Sequence, residues 1–419
     1  MKADGFKDIE DIYGLSPAQQ GILFEELSAP SESRYTVQLL LTLSGRPDRA
    51  AVARAFALAC ERHPALRTTF HWKQEGWPLQ VVQRRAAPAP VAHLDWRDLG
   101  ERERRARLRT LLAEDRRRGF DLTRAPLMRL TLIETGVSGW QLLFTHHHLL
   151  FDGWSTSALL GEVFTTYEAL ARGGSPNLPP PRPFRGYVAW LRRQDMRQAE
   201  RFWRDYLRGF TSPTPLPLAS TGRAKNQADD GDDAHAPCYA EAQFRLPAEA
   251  TSKLQELARA HQLTLNTVVQ GAWAVLLSRY GGEGEVVFGA TVSGRPAELE
   301  GVERMLGLFI NTLPVRARVA GEEKVCEWLR GLQEEGAEAR QYEYAPLSDV
   351  QRWSEVAGGR PLFDSLFIFE NYTVDSALRG RGGAATRVER AESFERTGFG
   401  LTLAVVPGEE LELRLGYDT

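Results

Sequence analysis

The sequence predicts an α+β protein in two halves, on three observations. At 419 residues it exceeds one ordinary core, so two domains of roughly 200 residues each are expected. Both halves mix amphipathic helices with apolar strands whose order suggests largely antiparallel pairing. Between them lie a Gly/Pro-rich stretch, GGSPNLPPPRP (173–183), and a polar segment from Thr211 to Pro237 that is expected to stay flexible. The expected division is 1–178 for the first lobe, 179–237 for connecting helices and linker, and 238–419 for the second lobe.

The elements follow in order. Ser16-Pro17-Ala18-Gln19 reads as a capping box with Pro at the first helical position, and Ile22, Leu23 and Leu27 give the opening helix an apolar stripe. YTVQLLLTL (35–43) reads as a strand and about 48–62 as an alanine-rich helix stopped by Pro64. LRTTFH (66–71), VVQ and VAHLDW supply short strands. Residues 100–118, GERERRARLRTLLAEDRRR, are strongly basic, but Leu108, Leu111 and Leu112 mark a side to bury, which predicts a solvated helix face. LMRLTLI (127–133) and the stretch from Trp140 form a hairpin about the turn ETGVSG (134–139). Short helices are expected over 184–193 and 196–208. The second half reads as a strand (238–246), helices over about 248–261 and 265–280, and strands at 285–294, 308–317 and 362–372. LTLAVV and LELRLGYDT close it as a pair placed like the first half's hairpin, without its histidines.

Composition narrows the function. Hydrophobic content of 42% with 26% charged residues describes a soluble globular chain, and a net charge of −3 gives no support to a nucleic-acid reading. No apolar run reaches membrane-span length, and the opening residues lack a signal-peptide hydrophobic region. Cys60, Cys238 and Cys326 form no zinc or disulfide pattern, so a reducing cytoplasm is expected.

The chemistry is expected in WQLLFTHHHLLFDGWS (140–155). Three of eight histidines stand together here, with Asp152 four residues beyond the last. By strand alternation, Leu142, Phe144, His146 and His148 share one face while Leu143, Thr145 and His147 share the other. Both faces are apolar, which predicts an interior strand. Ser155 is the expected N-cap of a helix carrying Leu159, Leu160, Val163, Phe164, Tyr167 and Leu170. Buried imidazoles need partners for their nitrogens. A lone histidine would most simply be a satisfied core residue; a cluster followed by Asp-Gly at a strand-to-helix junction points to function.

His147-His148-Leu149-Leu150-Phe151-Asp152-Gly153 matches the HHxxxDG signature of nonribosomal peptide synthetase condensation domains. LSPAQQGILF (15–24), RHPALRTTF (62–70), RGYVAWL (185–191), SGRP (293–296), LGLFINTLPVR (306–316) and GGRPLFDSLFIFENY (358–372) resemble the family's other motifs in their usual order, so the likeness covers about 9–419. Two departures stand out. QYEYAPLSDVQ (341–351) has Tyr342 where the family often has His, and the chain stops at Tyr417-Asp418-Thr419 where relatives continue into a last helix.

The resemblance implies two chloramphenicol-acetyltransferase-like lobes in a V-shaped pseudo-dimer with a tunnel between them. Upstream and downstream peptidyl carrier domains present thioesters on phosphopantetheine arms, a neighbouring adenylation domain loads them, and the domain binds no cofactor or metal of its own. It implies His148 as the catalytic residue and His147 as structural support. Asp152 becomes an ion-pair partner, mated to Arg67 with Arg62 as second choice, and Gly153 keeps the backbone small beside the acceptor. Trp203, Arg295 and Asn311 fall near the tunnel or lobe interface. The opening DIYGLSPAQQGILFEEL and the form HHHLLFDGWS are similar to the subtype taking a D-configured donor residue. The alternatives are an L-donor domain, an epimerization domain sharing the motif, a recruitment domain that has lost catalysis, and a metalloenzyme using His146 and His148.

Overall fold

A computed structural model describes the chain apart from residues 1–7, 29–32, 73–76, 86, 88, 137–138, 217–238, 320, 359, 371–377, 380–385 and 419. Most of the linker expected to be flexible, and Cys238, lie outside the described residues. The chain forms two compact units, neither contiguous in sequence. The first comprises Met1–Gln194, Arg295–Ile310 and Tyr372–Thr397; the second comprises Asp195–Gly294, Asn311–Asn371 and Gly398–Thr419. This differs from the expected boundaries at 178/179 and 237/238, because two segments of the second half make their pairings in the first unit.

The described chain opens with a strand, not a helix: β1 (Ile9–Gly14) precedes α1 (Pro17–Ser28). The capping box forms reciprocally. Ser16 N–H donates to Gln19 Oε1 at 2.9 Å, and Gln19 N–H to Ser16 Oγ at 3.3 Å. Then come β2 (Thr36–Gly45), α2 (Arg49–Arg62) and a 3₁₀ turn, Pro64–Arg67. That turn takes Leu66 and Arg67 out of the predicted strand, which begins as β3 at Thr68 (Thr68–His71). β4 (Leu79–Gln83), β5 (Val91–Asp95), α3 (Glu101–Arg118), β6 (Met128–Glu134), β7 (Gly139–His147), α4 (Gly153–Ala171) and α5 (Arg185–Leu191) follow.

The basic α3 buries no residue fully; Leu108, Leu111 and Leu112 are only half-buried. Its anchor is the Asp115 carboxylate. Asp115 accepts from Gln38 Nε2 at 2.8 Å and Thr145 Oγ1 at 2.7 Å, and pairs with Arg129.

The second unit holds α6 (Met196–Tyr206), β8 (Tyr239–Leu246), α7 (Ala248–Ala260), α8 (Leu265–Gly281), β9 (Glu285–Val292), β10 (Asn311–Arg318), α9 (Val325–Ala339), α10 (Leu347–Trp353) and β11 (Ser365–Phe369). β12 (Thr386–Phe394) returns to the first unit; β13 (Leu401–Val406) and β14 (Leu411–Asp418) end the second.

Among the described residues, the first unit has a five-stranded sheet, β12-β2-β7-β6-β5, and a three-stranded sheet, β1-β4-β3; the second has one of six, β10-β9-β11-β13-β14-β8. Pairing is mostly antiparallel, with β5 parallel to β6 and β11 parallel to β9 and β13. This is the α+β class expected. β7 is the central strand, as its two apolar faces predict, and α2 and α4 help cover it through Phe56, Leu159, Leu160 and Val163. Each such fully buried side chain stabilises the fold by roughly 1.5–3 kcal/mol. Buried between apolar layers, β7 gives the histidines a rigid base.

Candidate active site

The three histidines have three environments. His146, opposite Val37 and Met128 in the sheet, stacks on Phe144 and Phe151 with ring centroids 5.2 and 4.4 Å away. Its Nε2 meets Thr156 Oγ1 at 3.3 Å. Burial holds it neutral, well below the usual histidine range, with His148 and His147 acting the same way. His147 Nδ1 accepts from Leu149 N–H at 3.2 Å, so its other nitrogen carries the hydrogen and lies 3.8 Å from Glu26. Burial lowers its proton affinity, and Glu26 only partly restores it.

His148 stands just beyond β7. Its N–H continues the ladder to Tyr35 O at 2.8 Å, but the strand ends at His147 and the chain turns. The predicted alternation therefore stops one residue short of His148. Its Nε2 lies 2.8 Å from Glu395 Oε1; the imidazole side chain is 10% exposed and the carboxylate 44%. Burial alone would lower the ring's proton affinity. The Glu395 charge and hydrogen bond, with help from Asp152, outweigh it, and the net shift is upward. Nδ1 has no hydrogen-bond partner among the described residues.

The turn after His148 is fixed from several directions. Gln19 Nε2, at the start of α1, donates to Leu149 O at 3.0 Å, and Asp152 N–H to Gly307 O at 3.3 Å. Gly307 has no room for a side chain, since a Cβ would sit 2.0 Å from Phe184. Asp152, not Ser155, caps α4: its Oδ1 accepts from Ser155 N–H at 2.8 Å. Ser155 Oγ instead donates to Gly307 O at 2.9 Å.

The ion-pair expectation for Asp152 is corrected. Its partner is Arg295, whose Nη2 reaches Oδ1 at 3.1 Å and Ser155 Oγ at 2.8 Å. Oδ2 accepts from Phe309 N–H at 3.1 Å. Arg295 Nη1 donates to Val302 O at 2.7 Å, and its guanidinium lies 3.9 Å from the Phe309 ring centroid. Burial lowers the Arg295 proton affinity, with Asp152 opposing. Because Phe309 N–H goes to Asp152, the strand predicted over 308–317 starts only at Asn311.

Arg67 lies elsewhere. It donates to Cys60 O at 2.9 Å and to Glu10 at 2.6 Å, and bonds Gln83 O. The 3₁₀ turn before β3 aims it at β1 and β4. Arg62, the second choice, pairs with Glu162 at 3.1 Å. Gly153 starts α4, and a Cβ there would meet nothing within 4 Å, so no packing among the described residues demands glycine.

Trp203 and Asn311 belong to the second unit. Trp203 is fully buried in that unit's core beside Phe202 and Tyr206. Asn311 Nδ2 donates to Glu343 O and Ala345 O, both at 2.8 Å, holding the QYEYA segment. In that segment Tyr342 stacks on Phe202 at 4.4 Å, so the position where the family often has His is occupied by packing. Among the described residues, no three histidine, cysteine or carboxylate groups cluster as a metal site, and no helix is long and apolar enough to cross a membrane.

A family model described as "Condensation domain" matches residues 9–419. The chain is 45% identical to one of the linear gramicidin synthase proteins of Brevibacillus parabrevis over 98% of its length, and 40% identical to Chondramide synthase cmdD of Chondromyces crocatus over 93%. It spans only 8% and 10% of those relatives. Among solved structures, a variant of the starter condensation domain of rhizomide synthetase RzmA superposes with a TM-score of 0.81 at 19% identity, covering 100% of this chain and 90% of that one. The first condensation domain of the CDA synthetase gives 0.76 at 19%, covering 98% and 91%. Matched by the family model over nearly all its length, the chain belongs to the condensation domains of nonribosomal peptide synthetases, the family that catalyses amide-bond formation.

Proposed function

We propose that this domain transfers the acyl group of a donor peptidyl or aminoacyl thioester to the amine of an acceptor aminoacyl thioester, with His148 as the catalytic residue. The observation carrying this is the difference among the histidines. His146 and His147 are buried with lowered proton affinity, whereas His148 leaves the strand, keeps some exposure and has a raised one.

The chemistry asks little more. A thioester is already activated. The acceptor nitrogen forms the C–N bond, the C–S bond breaks, and the surplus amine proton passes to His148, which returns it to the departing thiolate to give the thiol. An α-amino group with a pKa of roughly 8 is only partly neutral at pH 7, so a proton acceptor helps. Holding two tethered reactants together is worth roughly 7–11 kcal/mol, and a general base about 10²–10⁴-fold.

Both substrates arrive on phosphopantetheine arms of an upstream donor carrier and a downstream acceptor carrier, charged by a neighbouring adenylation domain; the multidomain relatives support this. Gly153 leaves space beside the acceptor. The opening DIYGLSPAQQGILFEEL and the form HHHLLFDGWS favour a D-configured donor residue, and paired transfer assays with D- and L-terminated donors test that preference. The role of His148 is tested by single-turnover transfer between two loaded carriers. His148→Ala should slow amide formation by about 10²–10⁴-fold, and an unchanged rate would remove His148 from the role.

A further inference from the structure

Glu395 was not among the residues the sequence singled out, and it comes to His148 by topology. It follows β12, whose Phe394 lies opposite Gln38 of β2, while Thr36 of β2 lies opposite His147 of β7. A strand from the far end of the chain thus extends the sheet's edge and delivers a carboxylate to the end where the histidines emerge. Arg116 of α3 fixes that delivery by donating to Phe394 O at 3.2 Å.

A carboxylate accepting from Nε2 requires the hydrogen on Nε2. Glu395 therefore occupies the reachable nitrogen of His148, and the acceptor amine must part this contact before Nε2 can take its proton. Among the described residues, Asp152 also acts on the ring, His146 and His147 adjoin it on its own segment, Arg116 on α3 acts on Glu395, and Glu26 on α1 acts on His147. Among the described residues, only Glu395 touches Nε2.

We infer that Glu395 is a positioning residue for amide formation: it orients the His148 ring through Nε2 and its charge sets the pH at which that ring becomes a proton acceptor. The inference rests on the assignment of catalysis to His148. Glu395→Gln keeps an oxygen acceptor at the same reach and removes the charge. Its expected effects are a His148 titration midpoint lowered by about one pH unit or more, followed by NMR of histidine-labelled protein with His148→Ala for assignment, and an acid limb of the single-turnover rate displaced in the same direction. Glu395→Ala should in addition lower the plateau rate, because the ring loses its guide. A midpoint identical in the two proteins, or one that moves while the pH–rate profile stays put, overturns the inference. Full transfer by His148→Ala would instead overturn the assignment of His148, so the two failures are distinguishable.

Discussion

Two ion pairs flank the same turn and are built differently. Asp152–Arg295 is sealed, with side-chain exposures of 1% and 7%, and both partners have further hydrogen bonds: Ser155 and Phe309 N–H to the carboxylate, Val302 O to the guanidinium. His148–Glu395 is a single contact at the open side of the same unit, with a carboxylate that is 44% exposed. A sealed, fully satisfied pair resists change and suits a hinge-pin for chain geometry. A half-open pair with one contact can be parted by a substrate, and its charge state can follow the solution.

The largest expected break in this contrast is Asp152→Ala. It strands the Arg295 charge, uncaps α4 and leaves Phe309 N–H unpaired, which should cost about 3–5 kcal/mol in urea unfolding. A fully stable but inactive Asp152→Ala protein would move Asp152 from structure into chemistry and erase the contrast.

A smaller effect sharpens it through pH. His148 is raised from its ordinary 6.5, so its stabilising share is complete below 6.5 and is lost as pH rises through the folded value. Glu395 is lowered from 4.5, so its share is complete above 4.5 and is lost as pH falls through the folded value. The melting temperature of the parent minus that of Glu395→Gln should therefore be greatest between pH 4.5 and 6.5 and shrink on both sides. Taking the difference cancels the opposite contributions of His146 and His147, whose proton affinity burial lowers in both proteins. A difference that is flat with pH would mean that the pair carries no charge coupling.

The smallest effect concerns the arginine expected at Asp152. Glu10 is 40% exposed, and Arg67 retains Cys60 O and Gln83 O without it. Glu10→Gln should change unfolding free energy by about 0–1 kcal/mol and leave transfer rates unaltered. A loss as large as that of Asp152→Ala would make Arg67 a third pillar of the site.

Much of the site was legible because it is local. The capping box spans four residues, the hairpin and the strand-to-helix turn are continuous, and alternation foretold β7 as an interior strand. Misreadings arose where neighbours in sequence are not neighbours in space. β12, TRVERAESF, carries four charged residues and no long apolar run, so its pattern hides a strand whose partner is β2. β1, IEDIYG, is only six residues long, with two acidic residues interrupting its apolar ones. Ser155 looked like the cap because serine favours that role, yet the chain turns three residues earlier at Asp152.

The sequence by itself determined the α+β class, the central strand, the histidine run at its end and the family to which these belong, because periodicity and short-range hydrogen bonding are written in adjacent residues. Only the tertiary structure decided that Arg295, 143 positions from Asp152, is its partner, that Glu395 reaches His148, and that two late segments complete the first unit. Those choices depend on which charges share a dry or half-open space, and that follows from packing, not from order along the chain.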